Sequence, residues 1–137
     1  MMHMEYVTLM PAVAAGLLMF IIGHVWYHAR VFGSVWMRLT NITPDMAESG
    51  RRWIFLTSFA GLLGALLLAV ALGYLGRAIG VETPAHGVVF ASLMWLCVIV
   101  PVLVGNVLWE GKPFGLFAIN AGYWLAALLV AAPVLFI

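Results

Sequence analysis

Two histidines and one glutamate are the residues whose types and spacing could hold a metal ion. His24 and His28 are four positions apart, which places both imidazoles on one face of a helix, where they can chelate one ion. Glu110 would complete a set of two histidines and one carboxylate that leaves coordination positions open. Because simple hydrogen bonding also explains such a pair, the sequence predicts no bound metal and no cofactor, with these three residues as the metal candidates.

The same residues belong to a larger polar group that would lie at one depth of a helical bundle. An unpaired polar side chain at that depth costs roughly a few kcal/mol, so we expect these side chains to converge in the interior. The predicted cluster consists of His24, Tyr27, His28, Asn106, Glu110, Asn120 and Tyr123. We interpret it as a hydrogen-bond cluster that fixes the register of the helices, and the alternative is a pocket or a proton path.

The composition places these residues in a membrane protein. Of 137 residues, 66% are hydrophobic and 8% are charged, against about 45–50% and about 25% in soluble domains. Four apolar runs without Asp, Glu, Lys or Arg exceed the roughly 20 residues that cross a bilayer as a helix, namely 6–29, 54–75, 87–108 and 114–137. The sequence therefore predicts a single all-α domain over 1–137, an integral bundle of four transmembrane helices.

The basic residues predict how the chain is oriented. The net charge of +1 indicates neither the basic surface that nucleic acids require nor a polybasic tail for anionic lipid. The expected partners are membrane lipid and either further copies of the chain or another membrane protein. Five of the six basic residues fall in the first and third loops, so the positive-inside rule places these loops in the cytoplasm and both termini outside. The single cysteine, Cys97, excludes an intrachain disulfide.

Local signals predict further details of the helices. Thr43 as N-cap, Pro44 at the first helical position and Gly50 at the end predict a short interfacial helix in the first loop. Pro101 removes the hydrogen bond to the carbonyl of Cys97, so we expect a kink in the third span. Small residues spaced for close helix packing recur in the first, second and fourth spans, at Ala12, Gly16 and Gly23, at Gly61, Ala65, Ala69 and Gly73, and at Ala118, Gly122 and Ala126.

Two stretches, residues 23–33 and 105–115, resemble each other. Four positions are identical at an offset of 82, and each stretch ends a span that runs in the same direction. The match predicts a parallel 2+2 repeat of helix pairs about a twofold axis along the membrane normal, and the alternative is chance in segments of similar composition. The alignment pairs His28 with Glu110, which we expect to be coupled.

Both stretches carry a resemblance to a known family. GHVWYHARVFGSVW resembles the first-span signature of a mainly bacterial family of small four-span membrane proteins, domain of unknown function 1761, at Gly23, Trp26, Tyr27, Phe32, Gly33 and Trp36. WEGKPFGLFAINAGYW resembles its second signature at Glu110, Gly111, Lys112, Ile119, Asn120, Gly122 and Tyr123. At His28 the family pattern commonly has a small or polar residue instead. The resemblance implies a four-span fold in a bacterial cytoplasmic membrane, and it brings no agreed activity.

Three classes of function follow from these observations. The expected one is a non-catalytic structural or accessory protein, as a homo-oligomer or beside another membrane protein, with a dry polar cluster and small residues facing the partner. A carrier or lipophile-binding protein would have a cavity that reaches Glu110 and Asn120. A metal-dependent membrane enzyme would use His24, His28 and Glu110.

Overall fold

The computed structural model describes residues 2–137, with side-chain surroundings from residue 9 onward, and all regular structure in this part is helical. Met1 of the predicted domain lies outside the described residues. The α-helices are α1 (Met2–Trp26), α2 (Ser34–Leu39), α3 (Pro44–Gly50), α4 (Ile54–Ala78), α5 (Pro84–Met94), α6 (Val100–Leu108) and α7 (Phe114–Leu135). Two π-helical turns, Ala29–Gly33 and Trp95–Ile99, precede α2 and α6, and a 3-10 turn, Arg51–Trp53, precedes α4.

Four stretches are long and apolar enough to cross a membrane: Leu9–Trp26, Pro44–Ala78, Pro84–Leu108 and Phe114–Leu135. The predicted all-α architecture with four spans is therefore confirmed. The first span ends at Trp26, earlier than expected, because the backbone of His28 turns to an extended conformation with ψ 143°. We call the end of the bundle with residues 27–53 and 109–113 the loop-1 side, and the opposite end the termini side.

The short helix predicted in the first loop is present as α3. The hydroxyl of Thr43 accepts a hydrogen bond from the backbone N–H of Met46 at 3.3 Å, and Pro44 is the first helical residue. The cap satisfies one of the N–H groups that a helix start leaves without a partner. A 3-10 turn then leads directly into α4, so the first loop ends in an unbroken helical path into the second span.

Helices α1 and α7 form the central pair of the bundle. α1 packs along α4 and α7, and α7 packs also along α5 and α6. A twofold repeat would require a contact between α4 and the third span as extensive as that between α1 and α7. The described residues do not have this relation, since α4 approaches the third span mainly at the termini side, near Gly76 and Phe90. The spatial order of the spans is thus second, first, fourth, third.

Small residues bring α1 and α4 into close contact, as their spacing predicts. A Cβ atom added at Gly16 would lie 2.9 Å from the Cα of Leu66, so only glycine allows this approach. Ala12 and Ala69 are fully buried in the same contact region. The stripe predicted in the fourth span does not form one buried face, because Ala118 is exposed.

The third span bends through a π-turn next to Pro101. The N–H of Val100 donates to the carbonyl of Trp95, five residues back, which widens the helix by one residue. Pro101 has no N–H for the carbonyl of Cys97, and the wider turn accommodates its ring. The predicted distortion is therefore present, in the form of a π-helical turn that also reorients Trp95.

On the termini side, Phe136 fills a socket formed by glycines. Its ring is 2% exposed, and a Cβ atom added at Gly76 or Gly87 would overlap it. Phe90 meets the ring edge-on, with 6.1 Å between the ring centroids. The guanidinium of Arg77 lies 5.4 Å from the ring centroid and donates to the carbonyl of Leu135 at 2.6 Å, which ties α4 to the end of α7.

We expect Gly76→Ala and Gly87→Ala each to destabilise the protein by about 1–3 kcal/mol, because the added methyl group must displace the Phe136 ring. Thermal unfolding in detergent, followed by circular dichroism, measures the effect. Gly64→Ala in α4 is the matched control, since no atom lies within 4 Å of its added Cβ. A Gly76→Ala protein that unfolds no earlier than the control would contradict the socket.

Candidate functional site

The polar contact that links the two central spans is a hydrogen bond between Tyr27 and Asn120. Tyr27 follows the last residue of α1, and its hydroxyl donates to Oδ1 of Asn120 in α7 at 2.8 Å. Both side chains are half-buried, so little water is available to replace the bond. A polar contact of this kind in a membrane contributes about 0.6–2 kcal/mol, and it also sets the register of the two helices.

Tyr123, one turn along α7 from Asn120, extends this contact toward the middle of α1. Its ring centroid lies 5.4 Å from that of Tyr27, and its hydroxyl donates to the carbonyl of Met19 at 3.4 Å. Gly23 leaves room for the ring, because an added Cβ would lie 3.4 Å from two of its atoms. Aromatic pairs of this geometry stabilise a protein by about 0.5–1.5 kcal/mol beyond the contribution of the apolar area that they bury.

Trp26 makes the third link from α1 to α7. Its indole N–H donates to the carbonyl of Ile119 at 3.0 Å, and its six-membered ring occupies the space above Gly122, where an added Cβ would lie 3.0 Å from Cζ2. We call these residues, Trp26, Tyr27, Ile119, Asn120, Gly122 and Tyr123, the Tyr27–Asn120 junction. Each of these residues belongs to one of the two sequence signatures. The two signatures therefore form the two sides of one contact.

The π-turn Ala29–Gly33 brings the rest of the first signature onto the junction. The N–H of Gly33 donates to the carbonyl of His28 at 3.0 Å, and an added Cβ at Gly33 would overlap the carbonyl of Tyr27, so the turn requires glycine. Phe32 then lies on Trp26 with 4.6 Å between the ring centroids, and Trp36 meets Tyr27 at 5.7 Å. The turn thus directs the first loop back over the junction.

Trp95 of the third span contacts α7 next to the junction. Its indole N–H donates to the carbonyl of Ala121 at 2.8 Å, while Trp26 donates to the carbonyl of Ile119. Both carbonyls already belong to the helix and accept these bonds with their second lone pairs. Trp95 was not among the residues predicted from the sequence, although an indole N–H in an apolar span needs an acceptor, and this need was the available signal.

The structure brings together three of the seven predicted cluster residues, Tyr27, Asn120 and Tyr123. Asn106 is half-buried in α6, and its backbone carbonyl accepts from the backbone N–H of Lys112 at 3.1 Å. Glu110 is exposed in the third loop. Since α1 and α6 are not packed against each other in the described chain, the predicted cluster does not converge as a whole.

His24 and His28 are exposed and bond to their own segment. Nδ1 of His24 donates to the carbonyl of Phe20 at 3.1 Å. Nδ1 of His28 accepts the N–H of Arg30 at 3.2 Å and so caps the π-turn. The helix ends between the two histidines, so the continuous helical face assumed for chelation does not exist, and His28 is not paired with Glu110.

The three metal candidates are not brought together as one set of ligands. No group of three His, Cys, Asp or Glu side chains that could hold a metal occurs from residue 9 onward. A metal at Nε2 of His28 would need its proton on Nδ1, the atom that accepts from Arg30. The set of His24, His28 and Glu110 does not fit a metal ion within one chain.

Four apolar spans held together by an internal polar junction define a polytopic helical membrane protein. The chain belongs to the family described as "Protein of unknown function (DUF1761)", which matches residues 10–136. No curated protein and no solved structure is similar enough to count as a match. The family resemblance predicted from the two signatures is confirmed.

If the junction holds α1 to α7, Tyr27→Phe and Asn120→Ala should each lower the free energy of unfolding by about 0.6–2 kcal/mol. The double variant should cost less than the sum, because either change alone breaks the same bond. Unfolding in detergent of the unchanged protein, the two single variants and the double variant measures the four free energies that this comparison needs. Tyr74→Phe is the matched control, since Tyr74 is 75% exposed. Additive effects, or an equal loss in the control, would show that the bond does not couple the helices.

Proposed function

We propose that this protein is a non-catalytic structural or accessory component of a bacterial cytoplasmic membrane, which acts by associating with further copies of itself. It holds no cofactor, and its partners are lipid and membrane protein. One observation carries the proposal: the polar side chains of the central spans are bonded inside the chain. None of the buried side-chain N or O atoms from residue 9 onward lacks a hydrogen-bond partner.

Internal bonding favours a structural role over an enzyme. A catalytic site needs a nucleophile, base or acid left open toward a substrate. The hydroxyls of Tyr27 and Tyr123 are instead bonded to Asn120 and to the backbone of Met19. Thr57, near the start of α4, donates to the carbonyl of Ile54 in its own helix. The geometry supports a junction that fixes helix positions.

The carrier alternative has less support. It predicts a cavity that reaches Glu110 and Asn120, but neither of these residues lines the two cavities described in the chain. One cavity is an open depression on the outer face of α1, and the other, of about 10 Å³, lies beside Phe136. The region around Asn120 is filled by aromatic side chains, which fits a packed contact better than a path for a substrate.

The exposed surface of α4 supports association between copies. Its apolar side chains are uncovered, with Phe55 86% and Leu67 71% exposed. The small residues that were expected to face a partner pack between α1 and α4 instead, so larger side chains form this outer surface. Lipid also covers exposed apolar side chains on the other spans, and what distinguishes the second span is that the rest of the chain covers it least, with 11% of its apolar stretch buried against 17–33% in the other three. We therefore assign the self-contact to the outer face of α4.

The proposed orientation follows the charges. Arg30, Arg38, Arg51, Arg52 and Lys112 are all on the loop-1 side, and Arg77 is on the termini side. By the positive-inside rule the loop-1 side faces the cytoplasm and both termini face outward. A reporter fused after Ile137 should accordingly be active outside the cytoplasm, and activity only inside would reverse the assignment.

Cysteine cross-linking in membranes tests the self-association. In a Cys97→Ala background, oxidation should link Leu67→Cys chains into a species of twice 14.9 kDa, because this position lies on the outer face of α4. Val102→Cys is the matched control on α6, with 67% exposure in a different span. Efficient linking at residue 67 and little at residue 102 is expected. Linking at neither position, together with a monomeric mass in detergent, would rule out the proposed assembly.

A further inference from the structure

An open depression of about 330 Å³ lies on the outer face of α1 next to the loop-1 side. Its size is at the lower end of the roughly 300–1,000 Å³ typical of ligand pockets. Its lining comes from the last two turns of α1 and the following π-turn, namely Phe20, Ile21, His24, Val25, His28 and Val31. No residue of α4 lines it, although Phe20 reaches α4 at Gly61. The depression therefore opens toward the membrane.

The depression is almost wholly apolar, and the two histidines among its lining residues are the ones that carry polar atoms. The bond from Arg30 N–H to Nδ1 of His28 leaves the proton of the neutral ring on Nε2, which is then a free donor. His24 donates from Nδ1 to its own helix, so its Nε2 is an acceptor. The donor, His28, is the member of the pair closer to the loop-1 side and thus to the membrane surface.

A positive charge stands at the same end. Arg30 is exposed and follows His28 by two residues, in the π-turn that borders the depression. The segment 29–53 carries four arginines against Asp45 and Glu48, so its net charge is positive. A guanidinium at the membrane surface binds a phosphate through paired N–H donors. The depression thus has apolar walls, with His28 at its surface end and a basic residue two positions further along the chain.

We propose that this depression binds one acyl chain of an anionic glycerophospholipid, whose phosphate is held by Arg30 and by Nε2–H of His28. The apolar side chains face the acyl chain, and the phosphate lies at the loop-1 side, at the depth of the lipid headgroups. A second copy is the less suitable occupant, since a symmetric contact here would bring two Arg30 side chains together. The site is separate from the outer face of α4, so this proposal goes beyond the proposed self-association. An experiment can contradict the lipid site and leave the self-association standing.

Native mass spectrometry of the full chain in detergent tests the headgroup. Phosphatidylglycerol and phosphatidylcholine with identical acyl chains are added separately. The protein should bind the first lipid about tenfold better, because the phosphate of phosphatidylcholine is offset by its own choline cation, which Arg30 repels, whereas phosphatidylglycerol keeps its net negative charge. Arg30→Gln should remove this preference, and Arg51→Gln, the matched control, should keep it. A preference that survives Arg30→Gln, or that is lost equally in both variants, would overturn the site.

A second pair of variants tests the acyl-chain position. Val25→Trp fills the depression and should reduce binding of both lipids about tenfold, whereas Val13→Trp, at another exposed position of α1, should leave it unchanged. Circular dichroism verifies that both variants are folded. Unchanged lipid binding in Val25→Trp would contradict the proposal. So would a change from dimer to monomer in this variant, because it would identify a second copy as the occupant.

Discussion

The hydrogen bond between Tyr27 and Asn120 is the contact on which the loop-1 side of this protein depends. Within a membrane, water cannot compete for such groups, and an unmatched partner costs roughly a few kcal/mol. The bond therefore fixes how far α1 can slide along α7. Trp26 and Tyr123 on either side add an indole bond and an aromatic contact in the same register. Because Tyr27 lies at the end of α1, the same contact also determines where the first loop begins.

The termini side is held by a different kind of interaction. Phe136 packs into space that exists only because Gly76 and Gly87 lack side chains, and Arg77 bonds to the end of α7. Together the two ends explain the shape of the bundle. α4 packs on α1 from Gly61 onward and is tied to α7 at Arg77, while its first turns, with Phe55 at the surface, have no such contact. The uncovered part of α4 and the depression on α1 both lie on the loop-1 side.

Composition and periodicity predicted much of the fold. Four spans follow from apolar length, because a helix that crosses lipid needs about 20 such residues. The helix after Thr43 follows from its cap, and the contact at Gly16 follows from the spacing of small residues. These features depend on local chemistry, which a single sequence contains. Tyr27, Asn120 and Tyr123 were placed together by their shared depth, and the structure joins them.

The errors came from features that local chemistry does not determine. His28 was expected on the same helical face as His24. The helix ends at Trp26, however, and the backbone of His28 is extended. Glu110 was expected beside His28 because a repeat was assumed. Whether the two residues are neighbours depends on the order of the helices in space, and α1 does not pack on α6 in the described chain. The contribution of Trp95 was missed because it depends on a π-turn beside Pro101. Helix breaks and helix order thus set the site as much as residue types do.

Solid-state NMR of the protein in lipid bilayers tests the central claim most directly. With tyrosine and asparagine selectively labelled, a through-space cross-peak between the ring of Tyr27 and the side-chain amide of Asn120 is predicted, since donor and acceptor are 2.8 Å apart. The peak is assigned to this pair of residues if it disappears in the Asn120→Ala protein. Absence of the peak, with the Tyr27 ring instead in contact with lipid acyl chains, would show that the two signatures do not meet and would contradict the account.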